Sequence, residues 1–378
     1  MLKFPKAKKL DERWGPRLFN ICKNLQILKR VKPINIKSEQ RRFLKEETEN
    51  PKFRYLFPKN IPKISKSIDE LLSDIKNEKN RIIKNIYLKR LEEIKKQLEL
   101  IQNIGHNDEK FYEISKILYK EPNNEDFKQA LKIYQNRISD NSPKYNAQEI
   151  KIIFNKVLKH YGIKDYQVTI SKKLHLAVTE GVIKRRKYKP YLGIPPFFQV
   201  SEYRLQQLLA HEIETHIIRQ ENSFNSPLWI LMSPLNLKNY IFCEEGLGIY
   251  NEKRRIKNLG SEIWGIMALY LSKTRNFRET FEELISMGLN KELAWRRSVR
   301  TFRGIKNCSN KNGFRFCGDF IYWRGYKLIS EFLKKYPQKY QDLYIGKTNL
   351  EDLDLLLELI GPVKNVIIPK NLSIKEFI

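Results

Sequence analysis

No run of about 18 apolar residues occurs anywhere in this chain of 378, so the sequence holds no candidate for a membrane-spanning helix. The N-terminal stretch MLKFPKAKKLDERWG carries lysines but no apolar segment behind them, and no secretory leader is expected. Cysteine is scarce. Cys22, Cys243, Cys308 and Cys317 are scattered without CxxC spacing, which speaks against a thiolate metal site and fits ordinary thiols in a reducing cytosol. Negative charge is also short, with 43 Asp and Glu against 72 Lys and Arg, a formal net charge of +29. Two readings fit that imbalance. One is coding bias, since Lys, Asn and Ile are all plentiful; the other is attraction to a polyanion such as an acidic protein, a nucleic acid or an anionic membrane surface. No recognisable nucleic-acid motif accompanies the charge, and the basic residues are spread along the whole chain.

What is present is enough apolar residue, 41%, to bury a sizeable core in one large domain or two. The first sixty or so residues are basic and punctuated by Pro33, Pro51, Pro58 and Pro62. From Ser65 to about Gln102, Ile68, Leu71, Leu72, Ile75, Ile82, Ile83, Ile86 and Leu88 form one helical stripe. It breaks at Gly105, His106 and Asn107, and FYEISKILYK and FKQALKIYQNRI follow as a helical pair. Between Tyr166 and Val200 the pattern changes to strands: YQVTISKK, LHLAVTEGVI and YLGIPPFFQV. Pro195 and Pro196 cannot donate to a ladder, which places the third strand at a sheet edge, where an extended peptide could add. Phe197 and Phe198 beside them read as core, at least one of the two. Ser201 then caps a helix with Glu202 in its first turn. The rest is helical to about Ile360, with Gly246, Gly260, Gly304 and Gly325 at joints. The fold class expected is α+β and predominantly helical. A basic helical region, 1–145, would pack on a catalytic domain with a small sheet, 146–360, followed by a tail, 361–378, all in one compact unit.

The helix after Ser201 carries the chemistry, in LLAHEIETHIIRQEN. Imidazoles bind zinc well, and a neighbouring carboxylate can take a proton from water. His211 and His216, however, are five residues apart. In a regular α-helix that spacing puts them about 140° apart, against about 40° for a spacing of four. They can share one metal only if the helix is locally widened, as by a π-type turn. A catalytic zinc commonly takes three protein ligands, and CEEGLGIYNE offers the third as Glu244 or Glu245. Glu212 would be the general base. Glu214 should face away from the metal, and His106, His160 and His175 read as ordinary residues.

HEIETHIIRQEN followed by EEGLGIYNE resembles the HExxxH…EGLA pattern of the QEGLA-motif proteins, which include the microtubule-associated tyrosine carboxypeptidases that trim the C-terminal tyrosine of α-tubulin. PINIKSEQRRFLKEETENPKFRYLFP, FYEISKILYKEP, SVRTFRGI and CGDFIYWRGYKLI also look like blocks of that family, in order, from Pro33 to Ile329. The resemblance implies a zincin-like core and one zinc ion on His211, His216 and Glu245, since the glutamate beside the glycine is the one kept. Two departures stand out. Gly248 replaces the usual Ala, which should matter little, and Cys317 and Gly318 replace polar residues, which bears on substrate preference.

The implied function is a zinc-dependent carboxypeptidase that removes C-terminal residues from a protein tail, acidic tails being a natural match for the positive chain. Its setting would be cytoplasmic. Such an enzyme must hold a terminal carboxylate, for which a bidentate arginine suits best: Arg300, Arg303 or Arg219. Tyr322 is the candidate donor to the oxyanion. The alternatives are a dipeptidyl-peptidase-like zinc exopeptidase and a metal-binding regulatory protein without proteolysis; a nucleic-acid-binding module is expected less than any of these.

Overall fold

The computed structural model describes residues 9–58, 60–136, 142, 144–171, 177–184, 187–256, 263–361 and 366–378. Over these residues the chain is mostly helical with small sheets, the α+β class expected. The stripe from Ser65 makes two helices, Ile61–Ile75 and Arg81–Asn103. Asn80 restarts the chain between them, because its side chain accepts from the amides of Ile82 and Ile83, both at 3.0 Å. Helices Asp108–Tyr119 and Asn124–Gln135 follow, each capped by the asparagine before it.

Burial explains how these helices help to position the site. Ile68, Leu71, Ile83, Ile86 and Ile94 belong to the same buried cluster as Leu205, Leu209, Ile213 and Ile217 of the motif segment. Each such side chain contributes about 1.5–3 kcal/mol when fully buried, so the N-terminal helices and the motif segment share one core, and helices Ala147–His160 and Tyr240–Arg255 pack on the motif directly. The proline-punctuated segment takes part as well. Phe43 inserts into a second cluster, with ring centroids 5.2 Å from Phe277 and 5.3 Å from Trp295. Among the described residues, no helix is long and apolar enough to cross a membrane.

The sheet departs from expectation. Lys187–Ile194 is the middle strand of three, parallel to Gln167–Ile170 on one side and antiparallel to Ala177–Lys184 on the other. The prolines that suggested an edge, Pro195 and Pro196, lie just past its end, where no ladder bond is required of them. Within the strand, Pro190 stands where the antiparallel register shifts between Thr179 and Val182. Gln199–Val200 pairs instead with Tyr145–Asn146. The peptide-adding edge drawn from this strand is therefore withdrawn. Phe198 packs on the core, and Phe197 is 89% exposed.

Gly246 and Gly325 are not joints either. Both lie inside helices, Tyr240–Arg255 and Phe320–Lys335, at the point where the two cross. A Cβ on Gly246 would stand 2.2 Å from the Gly325 carbonyl carbon, and one on Gly325 would stand 2.1 Å from the Phe242 oxygen. Only glycine allows backbones this close. The crossing sets the two segments EEGLG and GDFIYWRG against each other. Gly304 does mark a turn, at φ +86°, and Gly260 lies outside the described residues, as does His175.

Candidate metal centre

The helix that begins at Ser201, whose hydroxyl accepts from the Arg204 amide at 3.1 Å, runs as α-helix through Glu202–Leu208 and then as a π-helix through Leu209–Ile217. The widened stretch spans both motif histidines. A π-turn bonds residue i to i+5, so residues five apart come near one face. The Thr215 hydroxyl reinforces the geometry by donating to the Ala210 carbonyl, five residues back, at 2.9 Å. Asn251 Nδ2 donates to that hydroxyl from the facing helix at 2.8 Å. His211 and His216 end with ring centroids 4.7 Å apart and planes at 80°.

Both Nε2 atoms point at one carboxylate. Glu245 Oε2 lies 3.4 Å from His211 Nε2 and 3.7 Å from His216 Nε2. Ligand atoms of His211, His216 and Glu245 all fall within 4.8 Å of one another. The other ring nitrogens face different glutamates. His211 Nδ1 is 2.8 Å from Glu252 Oε1, and His216 Nδ1 is 2.7 Å from Glu244 Oε1. A proton on each Nδ1 leaves each Nε2 lone pair free, the tautomer a metal requires, and carboxylates behind histidines fix ring orientation. Two imidazoles, one carboxylate and two supporting glutamates make a donor set that fits zinc.

Glu244 is itself clamped, by Arg219 and Lys347. Burial works against its ionisation, yet Lys347 and Arg219, together with His216, hold it far below the usual carboxylate range. For Glu245 the balance is similar: burial raises it, and the two histidines pull it down to about 2. Burial alone would lower His216, but Glu245 and Glu244 outweigh it and raise the imidazole to about 9. His211 is raised well above its ordinary value, against burial, by Glu245 and Glu252.

Protons would compete with any metal at this cluster. Zinc affinity measured by competition with a chelator is expected to rise with pH and to level off above about pH 9. In the metal-free protein the sign reverses. The raised His216 contributes stability that is complete below its unfolded value of 6.5 and is lost as pH rises through about 9. Melting temperatures of chelator-treated protein should fall over that window, and a flat profile would contradict the arrangement.

The remaining sequence candidates separate into those at the centre and those away from it. Glu212, His211, Glu252, Arg300, Asp319 and Tyr322 line a pocket of about 160 Å³. Glu245, Arg300, Arg303 and Tyr322 line a second cavity, about 910 Å³, which shares Arg300, Asp319 and Tyr322 with the first. Asp319 organises this shared lining. It accepts from Arg300 Nε at 2.6 Å and Nη2 at 2.8 Å, and from Arg303 Nη2 at 3.2 Å. Burial opposes its charge, but the two arginines lower it to about 2. Tyr322 is raised above the ordinary phenol value, chiefly by the negative charge of Glu245, so its hydroxyl keeps its proton.

Arg219 is a correction. It is fully buried behind the centre, bonded to Glu244 and to the carbonyls of Leu343, Gly346 and Thr348 at 3.0, 3.1 and 2.9 Å. It lines neither of the two cavities and holds the glutamate that holds His216. Gly248 is another. A Cβ there would stand 2.7 Å from the His211 ring, so glycine at this position sets how closely His211 lies on the facing helix. Glu214 faces away from the metal cluster, toward the Tyr161 hydroxyl at 2.5 Å and Arg255. His106 stacks edge-on with Phe57, and His160 with Phe377.

Sequence reasoning missed the supporting residues. Glu252 had a signal, since it follows Glu245 by seven residues and so returns to the same helix face after two turns. Asp319, three residues before Tyr322, had a weaker one. Lys347, about a hundred residues downstream, had none.

Comparison with known proteins adds to this geometry. The family model described as microtubule-associated tyrosine carboxypeptidase matches residues 41–368. The chain belongs to that family. It is 25% identical over 351 residues to a Mus musculus protein named "Putative tyrosine carboxypeptidase MATCAP2". That alignment covers 89% of this chain and 57% of the relative, so the chain spans little more than half of the length of the curated relative it matches. Every residue of the metal cluster, both supporting glutamates, and Arg300, Arg303, Asp319 and Tyr322 fall inside the stretch shared with the tyrosine carboxypeptidase family.

Proposed function

We propose that this protein is a zinc-dependent carboxypeptidase with a zincin-like core, acting on protein or peptide chains with an accessible C-terminus. The observation that carries the reading is the π-helical widening that turns His211 and His216 onto Glu245. The family's description suggests tyrosine as the terminal residue removed.

A zinc ion held by His211, His216 and Glu245 would supply a Lewis acid and acidify water at neutral pH. The protein's own groups do the rest. The Glu212 carboxylate accepts a proton from the attacking water and passes it to the leaving amine. Tyr322 donates its phenolic hydrogen to the oxygen on which charge develops. Arg300 and Arg303 bind the terminal carboxylate. Asp319 takes Nε and Nη2 of Arg300 and Nη2 of Arg303, and Arg303 Nε is buried with no hydrogen-bond partner among the described residues. A donor of that kind is costly unless an acceptor reaches it, and a carboxylate is a suitable one.

Mass spectrometry of a defined peptide library incubated with the protein tests this reading. Release of single C-terminal residues is the expected result. Release of N-terminal dipeptides, or no release from any peptide, would overturn it.

A further inference from the structure

The large cavity beside Glu245 is closed on one flank by a segment outside the family match. That match begins at residue 41, whereas Phe19, Cys22, Lys23 and residues 24–29 line the same 910 Å³ space as Glu245, Arg300 and Tyr322. We propose that this N-terminal segment is the wall that reads the substrate chain upstream of the residue removed.

The segment is built to stay in place. Asp11 accepts from the amides of Trp229 and Ile230 at 2.7 and 3.0 Å and from the Tyr87 hydroxyl at 2.7 Å. Leu10 N donates to the Pro227 carbonyl at 2.9 Å. Helix Gly15–Leu25 follows, and its C-terminus turns through Gln26 at φ 46°. Arg30 fixes the turn, donating from Nε to the Leu25 carbonyl at 2.6 Å and from Nη2 to the Asn24 carbonyl at 2.8 Å. Arg90 supports the preceding helix, with Nη2 3.9 Å from Cys22 Sγ, while it bonds the Leu235 carbonyl at 2.8 Å and pairs with Glu93. The wall is thus preorganised, and preorganised surfaces lose little on binding.

Exposure differs across this lining: the Arg303 and Arg300 side chains are 15% and 39% exposed, whereas Leu28 is 65% exposed, and Lys23 and Lys29 of the same segment are exposed too. This inference rests on the carboxypeptidase reading for its polarity. If the terminal carboxylate sits at Arg300 and Arg303, the residues before it extend along this segment toward the exposed Leu28. The rim there offers an apolar contact between two cations, which suits an extended polypeptide with acidic residues upstream of its last residue.

Truncation would remove the Asp11 anchor to Trp229, Ile230 and Tyr87, so the test uses the full chain and exposed positions. A fluorescein-labelled decapeptide with acidic residues before a C-terminal tyrosine is titrated into protein carrying Glu212→Gln. An N-acetylated dipeptide ending in the same tyrosine is measured by competition. Adding Leu28→Asp is expected to reduce the preference for the longer peptide about ten-fold, and adding Lys29→Glu should act in the same direction. An unchanged preference in both variants, or no preference in the parent, overturns the proposal. Cleavage of the same two peptides by the wild-type protein is scored separately. Failure to release tyrosine there sinks the carboxypeptidase reading, while a length preference controlled by Leu28 still supports the wall.

Discussion

Protein carrying Glu212→Gln should turn over peptide substrates about a thousand-fold more slowly than wild type while keeping its metal. Glu212 is absent from the candidate metal cluster of His211, His216 and Glu245 and lines the small pocket beside it. The substitution removes a proton acceptor and changes the shape of the side chain little. Loss should therefore fall in kcat, with KM for a short peptide nearly unchanged, because the group acts on the water and not on the bound chain. If metal content fell together with activity, Glu212 would be a ligand and the assignment of Glu245 would be wrong. If activity survived at full strength, the residue would have no part in proton transfer.

Arg219→Leu is expected to act on stability, not on substrate affinity. The guanidinium is inaccessible, pairs with Glu244 and reaches three backbone carbonyls. Breaking a buried pair by removing one partner costs about 3–5 kcal/mol, because the remaining charge and the unpaired acceptors stay buried. Lys347 also touches Glu244 and limits the loss. Chemical denaturation should show the drop directly. A variant as stable as wild type, with weakened binding of peptides bearing a free C-terminal carboxylate, would restore Arg219 to the substrate site.

That pair of outcomes also marks where the sequence was legible. His211 and His216 stand out because two imidazoles and a glutamate within one helical stretch are chemically unusual, and their five-residue spacing demanded a widened helix that the fold supplies over Leu209–Ile217. The N-terminal stripes were legible by periodicity, although the chain breaks into two helices across the polar residues 76–80, where Ile82 continues the stripe of Ile75 at a spacing of seven and Asn80 caps a new helix. Arg219 was misread because sequence spacing along a helix does not tell which side another element will cover. Here residues 343–348, more than a hundred positions away, cover it. The strand before Pro195 was misread for a related reason, since a proline after a strand and a proline at an edge look alike until the partner strands are known. Glycines carried the deepest ambiguity. Gly246 and Gly325 resemble breaks in a helical pattern and are instead the contact that brings EEGLG against GDFIYWRG.

Metal analysis of the purified protein at neutral pH, run beside His211→Ala, tests the central claim most directly. His211, His216 and Glu245 hold their ligand atoms within 4.8 Å of one another, and removing one of three ligands should abolish tight binding. One zinc per chain in the wild type, lost in the variant with the fold retained, is the result this account predicts. Wild-type protein that takes up no zinc, or a variant that keeps it in full, would contradict it.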